Sequence, residues 1–140
     1  MNQQTIIADN ITEVLTKIIE FTNTRQKILT ENINNVHNFG FIPKDLPVNE
    51  FSDLMDTAIN EHIRNQRLIL CDSQNITFGQ DGFFAAKPVI DDFAKKLLEE
   101  DKDEYIELQI NKLLENGINQ RLAAELLQQR VEVAESSGQF

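Results

Sequence analysis

Apolar positions recur at helical spacing at both ends of the chain and lose that regularity in between. Near the start, Ile7, Ile11, Val14, Ile18, Phe21, Arg25, Ile28, Asn32 and Asn35 follow one another at steps of four and three, a heptad row whose apolar character stops after Ile28. No proline interrupts it, Asp9 or Asn10 can cap its start, and Asn38 and Gly40 supply turn formers beyond its end, which predicts a helix over residues 9–36. Near the other end, Ile106, Ile110, Leu113, Gly117, Gln120, Ala124, Leu127, Val131 and Ala134 repeat the same steps, and a second row, Leu114, Ile118, Leu122 and Leu126, widens the apolar face. A helix over residues 101–134 follows, opened by a capping box of Asp101 and Glu104, although a helix continuous through the charge run 99–104 is an alternative. Its wide face asks for more than one neighbour. Gly117, costly in a helix interior by about 1 kcal/mol relative to alanine, signals either close helix approach or a bend, or else is simply tolerated.

Between these helices the pattern shortens. Phe41-Ile42-Pro43 and Leu46-Pro47-Val48 read as loop, because a proline pushes the residue before it toward an extended backbone. Residues 50–64 carry Phe51, Leu54, Met55, Ala58, Ile59 and Ile63 on one side, an amphipathic helix with Asn49 as its cap. Residues 67–84 hold two apolar runs and then Gly79 and Asp81-Gly82, which suits a β-hairpin or a structured loop. Pro88 fits the first turn of a short helix bearing Val89, Ile90, Phe93, Leu97 and Leu98. The expected fold is therefore all-α. Long N- and C-terminal helices pair as an antiparallel coiled coil or bundle around a small, irregular or hairpin-containing middle, residues 37–100, and residues 135–140 form a flexible tail.

Length and charge narrow the function. A chain of 140 residues, 41% of them hydrophobic, supports one modest core and hence a single domain, 1–140. Its 13 basic and 23 acidic residues leave a net charge of −10, which disfavours nucleic acid and anionic membranes, since both select for clustered Lys and Arg. Cys71 is the only cysteine, so no internal disulfide is expected. No basic-then-apolar secretory signal opens the chain and no apolar run approaches the roughly 20 residues of a membrane span.

Candidate chemistry is sparse. His37 and His62 are the only histidines, no H-x-x-x-H or C-x-x-C spacing occurs, and neither a phosphate-cradling glycine loop nor a nucleophile elbow is present. The carboxylates Asp91-Asp92 and those of residues 99–104 point in several directions on a helix and read as a solvated face. We accordingly expect no enzyme, no small-molecule substrate and no catalytic, cofactor-binding or metal-ligating residue. The polar members of the first row stand out instead. Arg25, Asn32 and Asn35 occupy places that a plain coiled coil fills with aliphatics; Asn32 and Asn35 either bond the backbone at the helix end or reach another subunit, or else the helix emerges into solvent after Ile28.

At those residues the chain resembles a known family. Leu29, Asn32, Ile33, Asn35, Gly40 and Phe41, within the stretch that begins at Arg25, match in order the L-x-x-N-[IL]-x-N signature and following glycine–aromatic pair of flagellar axial proteins, and their continuation is similar to the proximal-rod members of the flagellar basal-body rod family. Asn116 and the apolar run after it, including Leu127, resemble that family's closing helix, while Ile110 and Leu113 belong to the same helical row. Phe39 stands where a proline is usual and Gln120 where a tyrosine is, departures that fit a divergent paralogue. The resemblance implies a structural subunit of the bacterial flagellar rod that self-assembles through its terminal helices and serves motility. Such subunits have termini often disordered before assembly, leave the cytoplasm through type III export without a cleaved signal, and reside in the basal body beside other copies and other rod proteins. The alternative is an acidic helical adaptor or export chaperone that binds a partner helix in a groove.

Overall fold

The computed structural model describes residues 3–79 and 84–137, with side chains from Asn10 onward apart from Ala134 and those after Glu135. The first long helix, α1 (Gln3–Asn34), and the last, α4 (Lys102–Ser137), pack against each other along their lengths. They run antiparallel. Tyr105 of α4 meets Asn32 of α1, and farther along α4 Asn116 meets Thr22. Between them lie β1 (Lys44–Asp45), α2 (Val48–Asn65), β2 (Ile76–Thr77), β3 (Ala85–Ala86), β4 (Val89–Ile90) and α3 (Asp92–Glu100).

The fold is mostly helical but not all-α, because the middle segment adds two two-stranded antiparallel sheets, β1–β4 and β2–β3. Of the stretch 67–84, expected to form a hairpin or a structured loop, only Ile76–Thr77 becomes a strand; it pairs with Ala86 and Ala85 just beyond that stretch, and the apolar run 68–71 forms no strand, while Asp81 and Gly82 lie outside the described residues. The β1–β4 pair corrects an expectation. Val89 and Ile90 do not belong to a helix opened by Pro88; they pair with Asp45 and Lys44, and α3 starts only at Asp92. Asp91 decides this boundary. Its carboxylate accepts the Ala94 N–H at 3.0 Å, a stronger helix start than Pro88 offers, and the β-branched pair before it suits a strand.

Other boundaries also shift. α2 begins at Val48 rather than at 50, with Pro47 rather than Asn49 at its cap position and the Pro47 carbonyl taking the Phe51 N–H at 3.0 Å. α3 and α4 are separate helices, not one. Asp101 is extended (φ −155°, ψ 100°), and its carboxylate accepts the N–H groups of Asp103 and Glu104 at 3.1 and 3.2 Å, so the capping reading of Asp101 holds. Helix α4 runs to Ser137, through the first residues of the supposed tail, and the remainder, 138–140, lies outside the described residues.

Two cores hold the layers together. In the larger, Val14 and Phe21 of α1 meet Phe51, Met55 and Ala58 of α2, Leu46, and Ile76 and Phe78 of the hairpin; the Phe21 and Phe51 rings stack with centroids 4.0 Å apart. In the smaller, Val36, Ala94 and Tyr105 join α1's end to α3 and α4, flanked by Leu97, Leu98, Ile106 and Leu108. From Ile11 onward the α1 row thus faces inward as its pattern predicts. The α4 row does not. Ile110 and Val131 are 44% and 48% exposed, Ala124 and Gly117 also face water, and the widening row Leu114, Ile118, Leu122, Leu126 stands out on the surface. Buried in their place are Tyr105, Gln109, Asn116 and Ala123, a row rotated around the helix from the predicted one.

Candidate functional site

That rotation has a polar cause. Where α1 and α4 approach β1, Arg25 lies almost wholly buried and grips Asp45 with two parallel bonds, Nε to Oδ1 at 2.9 Å and Nη2 to Oδ2 at 3.1 Å. Lys112 of α4 donates to the same Asp45 Oδ2 at 3.1 Å and to Asp91 Oδ2 at 2.6 Å. Two cations and two carboxylates therefore alternate in one chain, Arg25–Asp45–Lys112–Asp91, joining α1, β1, α4 and the start of α3. Buried charge is tolerable only when fully paired, and here the two signs balance. Asp45 is positioned by β1, whose pairing with β4 also carries Asp91 alongside.

Beside this chain sits an amide cluster. Asn32, 2% exposed, donates through Nδ2 to the Lys44 carbonyl at 2.7 Å and to Gln109 Oε1 at 3.0 Å, while its Oδ1 accepts the Lys44 N–H at 3.2 Å. Tyr105 donates its hydroxyl to the Asn32 carbonyl at 2.8 Å, and Asn116, 2% exposed, donates to the Thr22 carbonyl at 2.8 Å. Among the described residues Gln109 Nε2 is the buried side-chain nitrogen left without a hydrogen-bond partner.

Protonation follows from the geometry. Burial pushes the Asp45 carboxyl up, but the hydrogen bond and charge of Arg25, with those of Lys112, outweigh it and leave it below the ordinary carboxylate range. For Lys112, burial pulls the ammonium down, and bonds and charges from Asp91 and Asp45 more than restore it, leaving it above its usual value. Burial, helped by the Asp91 charge, raises the Tyr105 phenol to about 12. All three shifts lead away from neutrality. The cluster is a polar latch that ties α1, β1 and α4 to the start of α3.

The sequence-derived residues fall into this picture unevenly. Arg25, Asn32 and Asn116 belong to the latch; Leu29 is fully buried beside it, and Ile33 is half-buried. Asn35 bonds the Glu31 carbonyl at 2.8 Å where α1 ends, Gly40 takes a positive φ of 79° in the turn that follows, and Phe41 is half-buried. Of the three outcomes weighed for Asn32 and Asn35, bonding to backbone is the one seen within the chain, to Lys44 of β1 for Asn32 and to Glu31 at the helix end for Asn35. Leu113 and Leu127 are half-buried, and Ile110 is largely exposed, so the structure does not gather these three with the others. Asp45, Lys112, Gln109 and Tyr105 went unrecognised in the sequence, and Asp91, read there as part of a solvated helix face, instead caps α3 and pairs with Lys112. One signal could have found them: polar residues in the α1 row require polar partners, and Gln109, Lys112 and Asn116 supply these at steps of three and four on α4.

A groove of about 390 Å³ opens between α1, α2 and α4, walled by Leu15, Ile18, Phe51, Met55, Leu122 and Leu126, with Arg25 and Asn116 among its polar lining. Elsewhere, His62 Nδ1 lies 3.4 Å from Asn10 Nδ2, and His37 is exposed. Among the described residues no three His, Cys, Asp or Glu side chains are gathered closely enough to hold a metal ion, and no helix is long and apolar enough to cross a membrane. Comparison with protein-family models, with curated proteins and with solved structures finds no match to the chain.

Proposed function

We propose that the chain is a structural, non-enzymatic subunit of the bacterial flagellar basal-body rod, exported without a cleaved signal and assembled with other copies and other rod proteins through its terminal helices. One observation supports this above the rest. The residues that carry the family resemblance, Asn32 and Asn116 foremost, are buried at the α1–α4 contact with their amides on backbone carbonyls of the chain, and Gly40 turns the chain just past α1. A signature that closes two terminal helices on each other is what a subunit built around such helices needs. The polar latch also fits a role of specifying one helix register, because buried ionic groups select geometry more than they add stability.

The test is cellular. Deleting the gene in its own bacterium should abolish swimming, and the labelled chain should co-purify with basal bodies and be seen in their rod; Leu113→Asp and Leu127→Asp should prevent that incorporation. Motile deletion cells, or basal bodies free of the chain, would overturn the proposal. The competing reading, an acidic adaptor or export chaperone, draws on the apolar groove between α1, α2 and α4. It requires the chain to stay in the cytosol in a complex of fixed stoichiometry.

A further inference from the structure

The β1–β4 ribbon has two edges, and the fold closes one of them. The Asp91 N–H donates to the Pro43 carbonyl at 3.1 Å, so Asp91 with Pro43 and Val89 with Asp45 are the hydrogen-bonded pairs of the ladder. The pair between them, Lys44 and Ile90, therefore turns its backbone groups away from each other, toward the two edges. On the β1 edge Asn32 takes up both, accepting the Lys44 N–H and donating to the Lys44 carbonyl. The β4 edge has no counterpart. Among the described residues neither the N–H nor the carbonyl of Ile90 has a hydrogen-bond partner, and Ile90 is 50% exposed. Such an edge is a template on which a further strand can pair.

The surroundings of that edge are apolar and basic. Pro43 and Asp45 are buried, so strand alternation turns Ile42 and Lys44 outward on the face that Ile90 shares. Ile42 is 41% exposed, and Phe93, in the first turn of α3 just past the strand, is 67% exposed. Lys44, Lys87, Lys95 and Lys96 are all exposed, and among the described residues none of them has an ion-pair partner. Asp91 is held by Lys112, which leaves Asp92 as the exposed acid between residues 87 and 96; Glu99 and Glu100 follow farther along α3, away from the strand. On a chain of net charge −10, this surface carries a surplus of lysine.

We propose that the β4 edge binds an extended segment of a partner protein, apolar at its centre and acidic at both flanks, as a third, antiparallel strand. In antiparallel pairing one central residue makes both bonds to Ile90, so a short segment suffices, and an aliphatic side chain there packs beside Ile90. Carboxylates at the flanks meet Lys87 at one end and Lys95 and Lys96 at the other. Pro88 lacks an N–H and Lys87 repels basic strands, devices by which an edge refuses indiscriminate pairing, and they leave an acidic segment favoured. A second copy of the chain would bring the same surplus of lysine to the contact rather than the acids that answer it.

The probe is a fluorescent peptide, Glu-Glu-Val-Ile-Val-Glu-Glu, titrated into the purified full chain. Saturable binding tighter than about 1 mM is expected, weakening as salt is raised. It should be lost when the peptide's isoleucine is N-methylated, which removes the N–H aimed at the Ile90 carbonyl, and kept when the valine before it is N-methylated, whose N–H points away. In the complex the Ile90 amide should exchange with solvent at least about tenfold more slowly than in the free chain. Ile90→Pro, at an edge position whose N–H faces outward, should keep the far-UV spectrum and lose binding. Lys87→Glu combined with Lys95→Glu and Lys96→Glu should weaken it about tenfold. No saturable binding at about 1 mM, equal binding of a peptide with lysines in place of the glutamates, or tolerance of the N-methylated isoleucine would each overturn the proposal. A chain that binds phosphatidylglycerol vesicles but not the peptide, or one whose dimer Ile90→Pro dissolves, would give the edge another occupant and overturn it as well. These measurements use the isolated chain, so the edge and the rod reading can fail independently.

Discussion

Asn32 and Lys44 exchange two hydrogen bonds, the side-chain amide of one with the backbone of the other: Nδ2 donates to the Lys44 carbonyl at 2.7 Å, and the Lys44 N–H donates to Oδ1 at 3.2 Å. The amide reads the edge of β1 as a neighbouring strand would, fixing the returning chain against α1. Because Nδ2 also donates to Gln109 Oε1, it reaches both β1 and α4.

Asn32→Asp is nearly isosteric yet should be the more damaging change at this position. A carboxylate has no donor for the Lys44 carbonyl or Gln109 Oε1, so acceptors face acceptors in a buried site. We expect Asn32→Ala to cost about 2–3 kcal/mol and Asn32→Asp more than that near pH 7, with part of the aspartate's deficit recovered as the pH falls and the new carboxyl gains a proton. Urea unfolding of the three proteins at pH 4 and pH 7 measures this; an aspartate no worse than alanine at pH 7 would contradict it.

Asp45 should set the acid limb of stability. Its carboxyl is held below the ordinary value of 3.8 in the fold, so its contribution is present above that value and drains away as pH falls toward the lowered one. Lys112, held above 10.5, has the opposite sense: its contribution is full below 10.5 and is lost as the pH rises beyond it. Stability should therefore be level between these limits as far as the latch is concerned. Asp45→Asn should cost about 3–5 kcal/mol at pH 7, because Arg25 and Lys112 are left with buried charge, and should lose less stability than wild type on going below about pH 4. An Asp45→Asn protein with an unchanged acid limb would show that the latch is not what titrates.

How much of this could be read in advance depended on which force set each element. Row periodicity fixed α1 and its inward face, since Val14 and Phe21 bury and Ile18 and Ile28 are half-buried, as in an amphipathic helix. Gly40 and Asp101 were legible because a positive φ and a helix cap are demands of local geometry. The orientation of α4 was not. Counting apolar residues favours the row through Ile110 and Gly117, but the charges on Arg25 and Asp45 and the amide of Asn32 turn Gln109, Lys112 and Asn116 inward. Leaving those buried groups unpaired would cost more than burying the row of aliphatics would return. The β1–β4 pair was hidden for a related reason: two-residue strands carry almost no pattern, and their partners lie far apart in the chain.

Asp91 performs two tasks that substitution can separate. It caps α3 through the Ala94 N–H at 3.0 Å and accepts from Lys112 at 2.6 Å. Asp91→Asn keeps a good N-cap and loses the ion pair; Asp91→Ala loses both. The alanine variant should be less stable than the asparagine variant by about 1 kcal/mol, the usual worth of a cap. Thermal unfolding of both decides it, and equal stabilities would mean that Asp91 acts through its charge alone.

The two described glycines of the turn and of α4 should respond to alanine with opposite signs. Gly40 has room for a methyl group, with no atom within 4 Å of an added Cβ, yet its φ of 79° lies where an L side chain crowds its own backbone. Gly40→Ala should cost about 1–2 kcal/mol through backbone strain alone. Gly117 also has nothing within 4 Å of an added Cβ, which discards close helix approach as the reason for its presence in α4. Its backbone is ordinary helix, so Gly117→Ala should stabilise the chain by about 0.5–1 kcal/mol, chiefly by restricting the unfolded state. Chemical denaturation of both variants against wild type tests the pair. A destabilised Gly117→Ala would mean that α4 needs flexibility there, and a neutral Gly40→Ala would mean that the turn can relax out of the left-handed region.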